Sequence, residues 1–243
     1  MLAITATDNL DLLEITNYID FHSHILPGVD HGSSSMETTL FQLKSAKAAG
    51  VNRIISTSHF YPNAHNVESF LQKREKAFLK LLSCDEELPD VRLGAEVLIC
   101  VGIENLPGIE NLFIRGTRTL LLELPFVSSL DSSYYSTVER LLAKEIDVVI
   151  AHADRYNPAI VDKMISLGTR LQLNASSLVG FLRPKKHILN WINNKCVVGI
   201  GSDIHGADKN AYPIFVRGIK KLGAGFEYIH KESELIWNES FLK

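Results

Sequence analysis

The chain has 243 residues, of which 46% are hydrophobic and 22% are charged, and its formal net charge is −3. This length suits one large α/β domain with a buried core. The lysines are scattered and form no basic patch, which argues against a nucleic-acid-binding protein. No apolar run approaches the roughly 20 residues of a transmembrane helix. The segment from Met1 to Asn17 has the composition of neither a signal nor a transit peptide, so a cytoplasmic location is expected.

Predicted strands and helices alternate along the whole chain. The strands are predicted over residues 18–21, 53–57, 91–95, 119–122, 147–151, 171–173 and 197–201. The helices are predicted from the capping box at 34–37 to Gly50, from near Asn66, around Val138 to Leu142, from Asn157 to Gly168, around 187–192, from Pro213, and over 232–241. The short repeat at 102–106 and 108–112 and the polar segment 128–135 are expected to be irregular. Strict alternation of this kind indicates a parallel sheet with helices outside it.

A barrel is favoured over an open sheet because a polar side chain follows every predicted strand. In a barrel all strand C-termini face one rim, where active sites lie. An open sheet uses only the crevice at its switch point. The predicted fold is therefore a single α/β, TIM-barrel-like domain over residues 19–243, preceded by an N-terminal extension over residues 1–18.

The polar residues at these strand ends are mostly metal ligands. His22 and His24 follow the first strand, and residues i and i+2 of an extended segment point the same way, so their imidazoles are expected to converge on one ion. The full set at the rim is His22, His24, His31, His59, Glu96, Glu123, His152, Asn174, Asp203 and His205. All but Asn174 are good ligands, and they outnumber what one catalytic zinc needs, so several ions are expected. For any single residue, capping of the next helix is the simpler explanation.

The cysteines exclude another class of enzyme. Cys84, Cys100 and Cys196 are too few and too widely spaced for a disulfide framework or a zinc ribbon. A cysteine-dependent tyrosine phosphatase needs a thiolate in a loop with an arginine six positions later. The residues at those positions are Asp90, Leu106 and Ser202.

Six separated blocks of the chain resemble, in order, the blocks of the PHP superfamily. They are His22–Asp30, Ser56–His59, Gly94–Glu96, Leu122–Pro125, Ala151–Tyr156 and Gly201–His205. Within the superfamily they are most similar to the CpsB/YwqE-type bacterial protein-tyrosine phosphatases of capsule and exopolysaccharide synthesis. The resemblance spans about residues 20–222. It implies a PHP-type distorted (β/α)7 barrel that holds two or three divalent metal ions, with manganese favoured over iron or zinc.

The resemblance also implies which residues hold each ion. By position, His22, His24, Glu96 and Asp203 would hold the first, Glu96 would bridge to a second completed by Glu123 and His152, and His59 and His205 would hold the third. The ninth ligand departs from the family, which usually has Asp-Asp-Gly where this chain has Asp30-His31-Gly32. His31 takes the place of the second acid. A neutral ligand there lowers the negative charge and is expected to weaken or change the third metal.

Two basic residues are candidates for binding phosphate. Arg155 stands where the family keeps its phosphate-binding arginine, and the alternative for this residue is a salt bridge with neighbouring Asp154. The family often has a second arginine about five residues after the position of His205. This chain has only Lys209 there. Its ammonium group can attract a phosphate as a point charge, but it cannot bind two oxygens at once as a guanidinium does.

The resemblance implies metal-assisted hydrolysis of a phosphomonoester, with His22 and Glu96 in the catalytic centre and Arg155 on the phosphoryl group. The expected partner is a phosphotyrosine protein, namely a cognate bacterial tyrosine kinase. We expect the chain neither to bind nucleic acid nor to insert into a membrane. Whether it forms a homo-oligomer is left open. A histidinol-phosphate-like or nucleotide phosphatase and a regulatory module without turnover remain alternatives. An amidohydrolase is disfavoured because Glu123 and Asn174 stand where that group commonly has lysine and histidine.

Overall fold

Parallel strands form the centre of the fold and helices cover them. The structure is a computed structural model that describes residues 17–180 and 184–240, so most of the predicted N-terminal extension lies outside the described residues. The strands are β1 (Tyr18–Ser23), β2 (Val51–Ser56), β3 (His59–Phe60), β4 (Asp90–Leu93), β5 (Glu96–Leu98), β6 (Thr119–Glu123), β7 (Asp147–Ile150), β8 (Arg170–Asn174) and β9 (Val197–Gly201). The α-helices are α1 (Met36–Ala48), α2 (Val67–Leu82), α3 (Ser132–Ala143), α4 (Pro158–Leu167), α5 (Lys186–Asn193), α6 (Ala211–Lys220) and α7 (Gly225–Asn238).

The strands pair in parallel in two sheets, with the orders β1-β2-β4 and β3-β5-β6-β7-β8-β9. The sheets continue into each other because β2 and β3 are two halves of one interrupted strand, as are β4 and β5. Backbone hydrogen bonds carry the pairing across the interruptions, from Thr57 N to Ser23 O at 2.9 Å and from Gly94 N to Ser56 O at 2.8 Å. The result is the predicted series of seven strand positions with all carboxyl ends on one side.

The first and last strands meet without a ladder of hydrogen bonds between them in the described ranges. At and just beyond their carboxyl ends, Asp203 N donates to His22 O at 2.8 Å and His24 N donates to Ile204 O at 3.3 Å. The buried carboxylate of Asp20 adds hydrogen bonds from Ser202, at 2.8 Å from its backbone N and 2.6 Å from its Oγ. The barrel-like arrangement is therefore joined at the rim where the predicted ligands lie.

An inner apolar cluster fills the space enclosed by the strands. It consists of Phe21, Ile55, Ile114, Leu121, Val149, Ala151, Val198 and Ile236. Ile236 comes from α7, which is also anchored through its acidic residues: Glu234 pairs with Arg53 of β2, and Glu232 with Arg170 at the start of β8. Because these arginines lie toward the amino ends of their strands, α7 covers the face opposite the predicted ligands. A larger cluster lies between the strands and the remaining helices.

Several predicted helix boundaries are confirmed. They could be predicted because capping side chains mark them in the sequence. Asn66 caps α2 by accepting a hydrogen bond from Ser69 N at 3.2 Å. Asn157 caps α4, which ends at Gly168 in the left-handed conformation (φ 107°). The N-cap of α1 is Ser35, one residue later than the capping box suggested. None of the helices in 17–180 and 184–240 is long and apolar enough to cross a membrane.

Four predicted boundaries are wrong. The polar segment 128–135 is not all loop, because Asp131 caps α3 and overrides the weak helix propensity of the serines that follow. Helix α6 begins before Pro213, which is tolerated in a first turn whose N–H groups have no intrahelical partner. Helix α7 begins at Gly225, well before residue 232, since Phe226 and Ile229 are buried. Glu96 begins β5 rather than ending a strand.

We predict that Gly199→Ala destabilises the fold. A Cβ at Gly199 would lie 2.3 Å from Cγ of Phe21, whose ring is completely buried. Overpacking of this kind costs about 1–3 kcal/mol. The free energy of unfolding, measured by urea denaturation, should therefore fall by that amount. The matched control is Gly94→Ala, whose Cβ would meet Ile114 Cγ1 at 3.4 Å, an ordinary contact. Equal losses in both variants would contradict the prediction.

Candidate metal centre

Side chains from many strand ends meet at one rim of the barrel. Those brought together are His22, His24, His59, Glu96, Glu123, His152, Asp203 and His205. The strand interruptions help to place them, since His59 and Glu96 lie opposite each other as the first residues of β3 and β5. His152 and Asp203 adopt positive φ angles of 30° and 52°. Non-glycine residues in this region are uncommon and strained, and such strain concentrates at functional sites.

Four ligand atoms surround a single point. The Nε2 atoms of His22 and His24 are 3.0 Å apart, and each lies 3.3 Å from Oε2 of Glu96. Asp203 Oδ1 is 3.7 Å from the first Nε2 and 3.5 Å from the second. All four side chains are buried or nearly so. Two imidazoles and two carboxylates at these separations match the set that the resemblance implies for the first metal.

The chemistry of these atoms fits a cation. The Nδ1 atom of His22 lies 3.0 Å from Oε1 of Gln172, and that of His24 lies 2.8 Å from Oδ2 of Asp30. Because both partners are acceptors, each neutral imidazole carries its proton on Nδ1 and turns the lone pair of Nε2 toward the other ring. Lone pairs facing each other beside the Glu96 carboxylate repel unless a positive charge lies between them. A proton held between the two nitrogens provides that charge, and a divalent ion that replaces the proton on binding provides it as well.

Further ligand atoms cluster around Glu96. Its Oε1 lies 2.6 Å from Nε2 of His152, and its Oε2 lies 2.9 Å from Nδ1 of His59. Glu123 Oε1 is 3.8 Å from the His152 Nε2. Ligand atoms of His59, Glu96 and Glu123 form one group within 4.8 Å of one another, and those of His24, His59 and His205 form another. With its two carboxylate oxygens, Glu96 contacts the imidazoles of His22, His24, His59 and His152.

Several of these ligand atoms are buried without a well-formed hydrogen bond. Among the described residues, Glu96 Oε2, His59 Nδ1 and His205 Nε2 form none, although the first two atoms lie only 2.9 Å apart. Buried polar atoms are nearly always hydrogen-bonded, and the exceptions need an explanation such as an ion. These three atoms all face the cluster, so the same cations explain them. The residues present therefore fit the binding of metal ions.

The electric field at the cluster also favours cations. Although burial alone would raise the pKa of the Glu96 carboxyl, the positive charge of His22 and the hydrogen bond from His152 hold it well below its usual range. Burial lowers the pKa of His24, but hydrogen bonds and charges from Asp30 and Glu96 outweigh it and raise the pKa to about 10. A field that holds a proton so firmly also attracts a divalent cation, which displaces that proton on binding.

His31 lies at the edge of the cluster. Its imidazole stacks on the rings of His59 and His205, with centroids 4.7 Å and 4.6 Å away. Its ligand nitrogens belong to none of the three groups of candidate ligands found in the described residues, and the residue is exposed. Its role in a third metal site stays a prediction.

The two basic candidates differ in placement. Arg155 Nη2 lies 2.6 Å from Oδ2 of Asp203, and its side chain is 46% exposed, so the guanidinium stands at the mouth of the cluster. The alternative pairing with Asp154 is wrong, because Asp154 instead accepts a hydrogen bond from Asn174 N at 2.8 Å. Lys209 is exposed before α6, and within the described part of the chain it forms neither an ion pair nor a hydrogen bond.

Two positioning residues were missed from the sequence. Gln172 Oε1 accepts from His152 N at 2.6 Å and faces the Nδ1 of His22, so one amide orients two ligands. Asp30 faces Nδ1 of His24 and also accepts from His59 N at 3.0 Å. A polar side chain between two leucines of a buried strand was the available signal for Gln172. For Asp30 the available signal was an acidic side chain directly before the candidate ligand His31.

We predict that Gln172→Leu weakens manganese binding. Without the acceptor, the His22 ring loses its fixed orientation, and loss of such support typically costs about 10–100-fold in metal affinity. Calorimetric titration of the metal-free protein with manganese measures the change. Gln72→Leu is the matched control, because within residues 17–180 and 184–240 the only hydrogen bond of that exposed amide on α2 is to Glu68 at 3.3 Å. Wild-type affinity in the Gln172 variant would show that the amide does not support the centre.

Comparisons with known proteins identify the family. The family model for capsular polysaccharide synthesis, CpsB/CapC, matches residues 18–231. The tyrosine-protein phosphatase CpsB of Streptococcus pneumoniae is 29% identical, over 85% of this chain and 91% of its own. The CapC protein of Staphylococcus aureus is 30% identical over 93% of both chains.

A solved structure agrees with the fold. It comes from the crystal structures of YwqE from Bacillus subtilis and CpsB from Streptococcus pneumoniae, two metal-dependent tyrosine phosphatases. The TM-score is 0.74 at 21% identity, with 93% of this chain and 96% of the other covered. This likeness confirms the predicted α/β barrel-like fold. With the family model matched over most of its length, the chain belongs to the CpsB/CapC family.

Proposed function

We propose that this protein is a metal-dependent protein-tyrosine phosphatase that acts in capsule or exopolysaccharide synthesis. The observation that carries the proposal is the cluster of imidazole and carboxylate ligands around Glu96, with the guanidinium of Arg155 at its mouth. Such a cluster suits hydrolysis of a phosphomonoester. Membership of the CpsB/CapC family and the tyrosine-phosphatase relatives support this substrate class.

We further propose two or three divalent ions, with manganese favoured over iron or zinc. The proposed ligands are His22, His24, Glu96 and Asp203 for the first, Glu96, Glu123 and His152 for the second, and His59, His205 and His31 for the third. Metal ions held there supply a water of lowered pKa and positive charge opposite the phosphoryl oxygens. The distances among the ligand atoms are the support for this assignment.

Arg155 is proposed to bind the phosphoryl group. Its Nη2 is committed to Asp203, which fixes the orientation of the guanidinium, and its remaining donors are free to reach a ligand because the side chain is partly exposed. A planar guanidinium binds two phosphoryl oxygens at once. Lys209 forms no ion pair or hydrogen bond with any residue that the structure describes, so we expect a smaller, purely electrostatic contribution from it.

The proposed substrate is a phosphotyrosine protein, namely a cognate bacterial tyrosine kinase. A phenol with a pKa of about 10 leaves more readily than an alkyl alcohol and asks less of a general acid. The support for a protein partner is the naming of the family's relatives as tyrosine-protein phosphatases. A cytoplasmic location and one barrel domain over 19–243 stay predictions.

We predict turnover of p-nitrophenyl phosphate with added manganese that collapses in His22→Ala and in Arg155→Ala. The first variant removes a metal ligand, and the second removes charge that stabilises the phosphoryl group, so each should lower kcat/KM by about 100-fold or more. Steady-state kinetics measures both. His187→Ala and Arg217→Ala, on α5 and α6, are matched controls that should retain the wild-type rate.

Wild-type rates in both His22→Ala and Arg155→Ala would mean that the assigned site is wrong. Absence of turnover in the wild-type protein, despite bound metal, would favour the regulatory module without activity. A higher kcat/KM for histidinol phosphate or a nucleotide than for a phosphotyrosine peptide would favour a small-molecule phosphatase.

We predict that His31 determines the occupancy of the third metal. His31→Ala should bind about one ion fewer per chain than wild type, and His31→Asp should bind the last ion more tightly because it adds negative charge. Elemental analysis after dialysis against a known free manganese concentration measures the content. His187→Ala is the control. An unchanged metal content in His31→Ala would remove this residue from the ligand set.

A further inference from the structure

An exposed aromatic ring stands directly beside the metal centre. Phe126 lies just after β6 and is 62% exposed. A single exposed apolar side chain is common and needs no functional explanation by itself. Its surroundings, however, are specific. The Phe126 ring lies nearly parallel to the imidazole of His152, at 17° with centroids 5.9 Å apart, and 5.3 Å from the ring of Tyr156.

The backbone around Phe126 is fixed to the loop that follows β7. On one side of the residue, Leu124 N donates to the hydroxyl oxygen of the buried Tyr156 at 3.0 Å. On the other side, Ser128 O accepts from Nδ2 of Asn157 at 3.1 Å. That second loop also carries His152 and Arg155. The exposed ring, a candidate metal ligand and the candidate phosphate-binding guanidinium are therefore held together as one unit.

This unit places an apolar ring where the organic part of a phosphoester must lie. A phosphoryl group bound at the cluster and at Arg155 leaves the rest of the substrate pointing out through the mouth. His152 and Tyr156 cover only part of Phe126, and most of the residue stays open to solvent. An aryl group can stack on that ring, whereas a short alkyl group has little surface to offer it.

We propose that Phe126 contacts the aryl ring of the substrate and selects aryl over alkyl phosphates. The inference rests on the proposed function, because it requires the phosphoryl group to bind at the metal cluster and Arg155. Phe126 is thus a specificity-determining residue that donates no proton and holds no metal. Its contribution is the contact between two aromatic rings, in the geometry that such pairs prefer.

Two phosphonates that are not hydrolysed separate the ring contact from phosphoryl binding. Calorimetry on the manganese-loaded protein gives Kd values for phenylphosphonate and for methylphosphonate. We expect Phe126→Ala to weaken phenylphosphonate binding by about five- to tenfold and methylphosphonate binding by less than about twofold. Phe126→Tyr keeps the ring and should retain both affinities. The control Leu235→Ala removes a similarly exposed side chain, 57% exposed on α7, and should also retain both.

Three outcomes overturn the inference. Equal weakening of both phosphonates in Phe126→Ala means that the ring only supports His152, and no weakening of either means that it touches no ligand. In both cases, turnover of p-nitrophenyl phosphate by the wild-type protein shows that the proposed function stands without this contact. A wild-type protein that neither binds the phosphonates nor turns over p-nitrophenyl phosphate overturns the proposed function and the inference together.

Discussion

The buried carboxylate of Glu96 is the constraint on which the centre depends. It is completely inaccessible to solvent, and four imidazoles, those of His22, His24, His59 and His152, lie within 3.3 Å of its oxygens. An isolated buried charge costs several kcal/mol, so Glu96 is tolerated only where positive charge is gathered around it. Parallel strands meet this need because their carboxyl ends all reach the same rim.

Support outside the ligand set keeps that arrangement in place. His152 and Asp203 hold left-handed backbone angles, which cost about 1–3 kcal/mol each in non-glycine residues and persist only when neighbours enforce them. Gln172 binds the backbone N of His152, and His22 O accepts from the backbone N of Asp203. Asn174 lies at the same rim but is a poor metal ligand. Its side-chain Nδ2 donates a hydrogen bond to Asp203 Oδ2 at 3.0 Å. The strained ligands are thus fixed by hydrogen bonds from adjacent strands.

Much of this could be predicted from the sequence, because strand ends and ligand types are local features. The interruption at Gly94 and Ala95 could not, since nothing in the pattern shows that a strand resumes at Glu96. The ion-pair partner of Arg155 could not be predicted either, because Asp154 is adjacent in sequence while Asp203 is adjacent only in the fold. The division of ligands among ions came from the resemblance rather than from spacing.

The seam between β1 and β9 has a consequence for how the protein matures. Asp20 and Ser202, which join across it, are 182 positions apart in the chain, and candidate ligands lie on both sides. His22 and His24 therefore acquire Asp203, the second of their two acidic partners, only after about 180 further residues have been synthesised. Contacts of such long range form slowly. A nascent chain that still lacks Asp203 therefore has no complete first site in which to hold an ion.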